Sequence, residues 1–237
     1  MTGMLASVRD EHEAGLALEA GADIIDLKEP AAGALGAVDA DVIGATVARV
    51  GGRALVSATI GDVPYNADSI RPRLETMAAG VDFIKVGVFG APDAAGVLDV
   101  LQESARAGGR IVLVFFAEDP FHDSDFHLFA RYGVVGVMLD TRDKRSGALR
   151  DKLPEPQLES FVGRARSAGL LCGLAGSLDV DDIPALLPLQ PDYLGFRGGL
   201  CRGNNRIQRL DAEAAGGIRR ALSANVPAAP RGPCYMR

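Results

Sequence analysis

The chain has no tryptophan, and only three cysteines in 237 residues: Cys172, Cys201 and Cys234. They are far apart and odd in number, with no CxxC pair. Neither a disulfide framework nor a zinc knuckle is indicated. Cys172 reads as a small core residue in an apolar run, and a reducing cytoplasmic compartment is expected. No uninterrupted apolar run reaches the roughly 18 residues needed to span a bilayer. The opening "MTGMLASVRDEHEAG" lacks the basic and then apolar pattern of a signal peptide. There is no basic cluster, and the formal net charge is −6. Neither nucleic acid nor membrane is therefore an expected partner. An anionic ligand would have to be held by a few local cations and backbone donors.

Recognisable chemical motifs are also scarce. No GxGxxG follows a strand and no GxSxG elbow occurs, which removes the support for a dinucleotide fold or a serine hydrolase. Of the three histidines, His12 stands alone. His122 and His127 lie five apart in "FHDSDFHLF", which is not the i, i+4 spacing of a helical zinc site. No metal and no other cofactor is expected. Lysines are few.

What is present is rhythm. Four segments echo one another: "GADIIDLKEP" from Gly21, "GVDFIKVGVFG" from Gly80, "GVVGVMLDTR" from Gly133 and "PDYLGFRGG" from Pro191, their starts 53 to 59 residues apart. Four further apolar runs fall between them: "MLASV" at Met4, "ALVSATI" at Ala54, "IVLVFFA" at Ile111 and "LLCGLA" at Leu170. Apolar strands alternating with helical stretches read as parallel βα units. Leu158, Phe161, Val162 and Ala165 repeat with helical spacing, and Ile70, Leu74, Met77 and Ala78 nearly so. Glycines in "SAGL" and "MAAGVD" stand where helices stop. Eight such units predict a single α/β domain, a (β/α)8 TIM barrel over residues 1–222. A doubly wound open sheet is the alternative. The proline- and alanine-rich residues 223–237 read as a flexible tail.

In such a barrel the chemistry collects at the C-terminal ends of the strands. There stand Asp26 and Lys28 after the second strand, Thr59 and Asp62 after the third, and Lys85 in the fourth. Glu118 and Asp119 follow the fifth, and Asp140, Thr141, Asp143 and Lys144 the sixth. Period-two geometry turns Asp26 and Lys28 to one face. Burial and a neighbouring ammonium both lower a lysine's pKa and leave a neutral amine to attack a carbonyl. A structural ion pair or a phosphate anchor is the plainer reading of either lysine alone. After the seventh and eighth strands, Ala175, Gly176 and Ser177, with Arg197, Gly198 and Gly199, form a candidate phosphate site at a short helix N-terminus, where Ser177 is placed to cap. An ordinary glycine-rich turn is the plainer reading there.

The blocks "GADIIDLKEPAAGALGA", "VSATIGDVPY", "VDFIKVGVFG", "VMLDTRDKRSGAL", "LAGS" and "GFRGG" resemble, in order, those of the (5-formylfuran-3-yl)methyl phosphate synthase family. The resemblance implies a lyase that condenses two molecules of glyceraldehyde 3-phosphate, losing phosphate and water, toward the furan of methanofuran-type cofactors. It implies Lys28 as the Schiff-base lysine and Lys85 as the proton acceptor, with Asp26, Asp140 and Lys144 as further active-site residues. It assigns nothing to Glu118, Asp119, His122 or His127. Two other readings stay open: a class I aldolase on phosphorylated sugars, and a non-catalytic barrel that binds a phosphorylated ligand. Phosphate-binding decarboxylases with DxKxxD fit less well, because "DLKEPA" lacks the second aspartate. The expected partner is a small phosphorylated triose. Oligomeric state is left open, a homo-oligomer included.

Overall fold

The computed structural model describes residues 1–77, 80–89, 94–119, 121, 124–144 and 146–224. Eight parallel strands close on themselves in sequence order: β1 (Gly3–Val8), β2 (Ile24–Leu27), β3 (Leu55–Thr59), β4 (Phe83–Gly87), β5 (Ile111–Phe116), β6 (Val134–Asp140), β7 (Leu171–Leu174) and β8 (Tyr193–Phe196). The last pairs with the first in the register Gly3↔Tyr193 and Met4↔Leu194. A closed barrel leaves no sheet edge, and it removes the open-sheet alternative. The helices that follow the strands are α1 (Glu11–Glu19), α2 (Ala40–Val50), α3 (Ala67–Glu75), α4 (Ala94–Arg106), α5 (Phe126–Arg131), α6 (Leu149–Lys152), α7 (Glu155–Ser167), α8 (Ile183–Leu186) and, after β8, α9 (Ala212–Ala224). Among the described residues no helix is long and apolar enough to cross a membrane.

Alternation along the strands sorts the core into two shells. Outward residues such as Met4, Ile25, Val86, Leu113, Phe115, Leu139 and Leu194 pack with helix residues that include Phe129, Phe161 and Ile218. Inward residues Leu5, Ile24, Phe83, Val112, Val114, Phe116, Met138 and Tyr193 fill the barrel. Above this apolar plug the interior turns polar: Ser7, Asp26, Lys28, Ser57, Thr59, Lys85 and Asp140 are all buried.

The predicted α7 face, Leu158, Phe161, Val162 and Ala165, is buried as its spacing requires. The other predicted face is shorter. Ile70 is buried on α3, but Met77 lies past the helix end and Ala78 is outside the described residues. α9 runs to Ala224, two residues into the segment read as a tail, while 225–237 lie outside the described residues.

The quarter repeat has a physical basis at the bottom of the barrel. In three of the four echoes an aspartate precedes the strand. Asp23, Asp82 and Asp192 accept hydrogen bonds from the amides of Met4, Val56 and Cys172, each at 2.7 Å. Each carboxylate thus satisfies the first free amide of the neighbouring odd strand. Gly80 precedes Asp82 with φ +92°, a left-handed turn that ordinary side chains avoid.

Candidate active site

β2 carries Asp26 into the barrel, where it is 2% exposed. One carboxylate oxygen accepts from Ser7 Oγ at 2.9 Å and the other from Ser57 Oγ at 2.6 Å. Lys85 Nζ, arriving from β4, lies 2.7 Å from the same oxygen as Ser57. Burial works to raise the Asp26 pKa, but the charges of Lys85 and Lys28 outweigh it and hold the group below its ordinary value. The ion-pair partner of Asp26 is therefore Lys85 on another strand, not Lys28 on its own.

Across the barrel, β6 ends in Asp140, which is 1% exposed. It accepts from the Thr141 amide at 2.8 Å and forms an ion pair with Lys144. Here too burial would raise the acid, and Lys144 and Lys28 together bring it below the usual carboxylate range. Lys144 itself is lowered, by burial first, against the pull of Asp140.

Lys28 stands between these two pairs. Among the described residues its amine forms no ion pair of its own. Burial pushes its pKa down to about 8 from 10.5, Asp140 and Asp26 acting against the shift and Lys144 and Lys85 with it. Roughly a tenth of it is therefore the neutral nucleophile at pH 7, several-hundredfold more than for a lysine at the ordinary value.

A cavity of about 160 Å³ opens above these groups, with Lys28, Asp140, Lys144, Ser177, Asn204 and Arg206 in its wall. Lys85 is not in that wall. It borders a smaller void one layer deeper, with Ser57, Phe83 and Tyr193. Burial pushes the Tyr193 hydroxyl well above its ordinary pKa, so it stays a neutral filler.

The loops after β7 and β8 form the rest of the cavity wall. Ala175, Gly176, Ser177, Arg197 and Gly198 border the cavity; Gly199 does not. Ser177 has φ +52° and donates to the Lys144 carbonyl at 3.2 Å, while the Leu149 amide donates to the Gly176 carbonyl at 2.9 Å. Ser177 is therefore not the helix cap expected of it. Asp179 caps the short turn that follows, through the Asp181 amide. Among the described residues no protein acceptor meets the amides of Gly176, Ser177, Gly198 or Gly199. The absence of side chains at Gly198 and Gly199 also serves packing. A Cβ at Gly198 would come within 2.7 Å of Asn204 Oδ1, and one at Gly199 within 2.8 Å of the Leu178 carbonyl.

Arg197 needs correcting as a phosphate cation. Its five N–H donors go to the Arg206, Ser7 and Gln208 carbonyls and to both oxygens of Glu13. A guanidinium has no further donor to offer. Thr59 and Asp62 are likewise structural. Thr59 Oγ1 donates to the Leu35 carbonyl at 2.8 Å, and Asp62 accepts from the amides of Ala34 and Leu35 at 2.9 and 2.7 Å. Glu118 accepts from the amides of Arg142 and Asp143 and pairs with Lys152, and Asp119 pairs with Arg142. These contacts fix the loop that carries Lys144. His127 is exposed on α5, and His122 lies outside the described residues. Among the described residues no group of three or more His, Cys, Asp or Glu is arranged to hold a metal.

Sequence reasoning missed Ser7, Ser57, Asn204, Glu13 and Arg206. Ser7 and Ser57 carried a readable signal, a hydroxyl inside an apolar strand in phase with the inward face. Glu13 and Arg206 carried none.

Fold and mouth together define the class: a (β/α)8 barrel with a buried lysine–aspartate cluster at the C-terminal ends of its strands. Within that class the chain belongs to the 4-HFC-P synthase family, whose pattern it matches over residues 4–219. It is 49% identical over 209 residues to a Methylorubrum extorquens protein named provisionally as a (5-formylfuran-3-yl)methyl phosphate synthase, covering 88% of this chain and 86% of that one. It is 34% identical over 223 residues to the (5-formylfuran-3-yl)methyl phosphate synthase of Methanocaldococcus jannaschii, covering 89% and 95%. Among solved structures, phosphoribosyl anthranilate isomerase from Thermus thermophilus superposes with a TM-score of 0.67 at 16% identity, covering 94% of this chain and 99% of that one. That likeness is one of fold alone.

Proposed function

We propose that this chain is a (5-formylfuran-3-yl)methyl phosphate synthase that joins two molecules of glyceraldehyde 3-phosphate through an imine on Lys28. The family match supports the reaction. The observation that carries the lysine assignment is the buried, unpaired amine of Lys28 between two Lys–Asp pairs, with its pKa lowered to about 8. The neutral amine adds to the carbonyl of one triose phosphate, and the adduct loses water to give an iminium. That electron sink acidifies the adjacent carbon. Loss of its proton gives an enamine, which forms the new carbon–carbon bond with the aldehyde of the second triose. Elimination of one phosphate, ring closure through a hydroxyl and dehydration lead to the furan, and hydrolysis of the imine returns Lys28. Two triose phosphates less one phosphate and two waters give the product formula, so no oxidant or reductant is called for.

Proton traffic divides between the two pairs. Asp140 and Lys144 border the cavity and serve the departing oxygens. Lys85, one layer below and beside Asp26, serves as proton acceptor in its neutral amine form. One phosphate group lies against the open amides of Gly176, Ser177 and Gly198, where side chains do not intervene.

Borohydride reduction in the presence of glyceraldehyde 3-phosphate tests the assignment. We expect mass added to the Lys28 peptide, together with free phosphate and a furan chromophore from untreated enzyme. A label confined to Lys85 or Lys144 overturns the lysine assignment. A carbon–carbon product without phosphate release makes the protein an aldolase instead. Lys85→Arg keeps a cation beside Asp26 but gives up its proton far less readily. In that variant trapping should persist while furan formation falls at least about a hundredfold, the scale of general-base catalysis. Unimpaired turnover removes Lys85 from proton transfer.

A further inference from the structure

Arg197 aside, the cavity wall carries three cations, Lys28, Lys144 and Arg206, against one carboxylate, Asp140. Arg197 is also in the wall, but Glu13 neutralises it. The surplus of positive charge suits a phosphate monoester, which carries nearly two negative charges at neutral pH. Lys28 is committed to the carbonyl and Lys144 is bound to Asp140. Among the described residues Arg206 donates to one protein acceptor, the Gly33 carbonyl at 3.1 Å. Its other N–H donors have no protein partner among the described residues. It is half-buried at the mouth, and that one contact spans from the β8 side to the loop after β2.

Arg206 sits in an irregular segment between the turn at Arg202–Asn204 and α9. Such a segment places a long side chain only if its backbone is tied. The ties come from Arg197. Its Nε donates to the Arg206 carbonyl and one terminal nitrogen to the Gln208 carbonyl, both at 2.9 Å. Glu13, 1% exposed on α1, holds the same guanidinium and also accepts from the Leu210 amide at 3.2 Å. One buried ion pair thus fixes the segment at residues 206, 208 and 210.

We propose that Arg206 binds the substrate phosphate and that Arg197 with Glu13 is its positioning pair. The assignment rests on the reading that the substrate is a phosphate ester. A guanidinium in this wall can meet two phosphate oxygens at once, beside the amides of Gly176 and Ser177 that line the same cavity.

Glycerol 3-phosphate is the probe. It has no carbonyl and forms no imine, so calorimetry reads phosphate binding apart from chemistry. Arg206→Ala should weaken its binding roughly tenfold or more, the loss expected for a charge-assisted contact, and Arg206→Lys should recover part of it. Arg202→Ala, an exposed neighbour outside the cavity wall, should bind as the wild type does. Arg197→Lys should weaken binding in the same direction. Combined with Arg206→Ala it should add little, because both act through one contact. Glu13→Gln gives the same comparison should Arg197→Lys not fold. Wild-type binding by Arg206→Ala, or an equal loss in Arg202→Ala, overturns the phosphate contact. Full additivity of the double variant overturns the positioning role. Failure to form a furan while Arg206→Ala still loses affinity would refute the proposed reaction and leave this contact standing. Furan formation with unchanged binding in Arg206→Ala would do the reverse.

Discussion

Lys28 is one of four lysines in the chain, and three of them, Lys28, Lys85 and Lys144, meet in the barrel. Two carboxylates cannot neutralise three ammonium groups, and the leftover proton is the one most easily lost. The arrangement leaves Lys28 the readiest of the three to lose its proton, at a cost in stability. Its pKa is about 8 in the folded chain against 10.5 ordinarily. Below pH 8 both states carry the proton, and the folded state bears the full penalty of the buried charge. Between about pH 8 and 10.5 the unfolded chain holds more protons, so stability rises with pH and the penalty fades. Lys28→Met should therefore stabilise the protein at pH 7, by at most on the order of 3 kcal/mol, and abolish imine trapping. The gain should shrink as denaturant melts are repeated from pH 8 toward pH 10. A variant less stable than wild type at pH 7 would show that the cation is held favourably after all. The sequence exposed Asp26 and Lys28 by their shared face. It could not expose the partner of Arg197, because Glu13 is 184 positions away and lies on a helix face with no distinguishing pattern.

At the scale of elements, the strands were legible because each is an apolar run bounded by glycine, proline or charge. Seven fall inside the runs named from sequence, and β1 starts one residue before its run, at Gly3. The loops were not. The spacing that marks "SATIGD" says nothing of Asp62 reaching back to the amides of Ala34 and Leu35. The repeated aspartates Asp23, Asp82 and Asp192 were quoted in the echoes without their use at the barrel floor being visible. A contact between consecutive loops carries a further consequence. The Lys144 loop is held by Glu118 from the end of β5, through the amides of Arg142 at 2.8 Å and Asp143 at 3.3 Å. Glu118→Ala should release that loop and lower kcat roughly tenfold, the scale of one or two charge-assisted bonds, while trapping on Lys28 continues. Glu118→Gln retains an acceptor oxygen and should restore much of the rate. An unchanged kcat in the alanine variant would show that Asp140 and Thr141 hold Lys144 unaided.

Seen as a whole, the molecule is acidic, with a net charge of −6. Its long-range field opposes a phosphorylated substrate, and the cations that matter are confined to one mouth. Two kinds of anion capture respond differently to salt. Steering by a broad field is screened by any electrolyte, over a length of about 10 Å at 0.1 M. Capture by a built pocket depends on the shape and charge of the anion, because N–H donors must meet its oxygens. In the proposed site, the open amides at Gly176, Ser177 and Gly198, with Arg206, belong to the second kind. At matched ionic strength, sulfate should therefore raise the KM for glyceraldehyde 3-phosphate several-fold with kcat unchanged, since a tetrahedral dianion competes for the same donors. Chloride should have little effect, or lower KM slightly by screening the surrounding acidic surface. Equal inhibition by the two salts would mean that the phosphate is held by diffuse charge, and that the loops after β7 and β8 do not bind it.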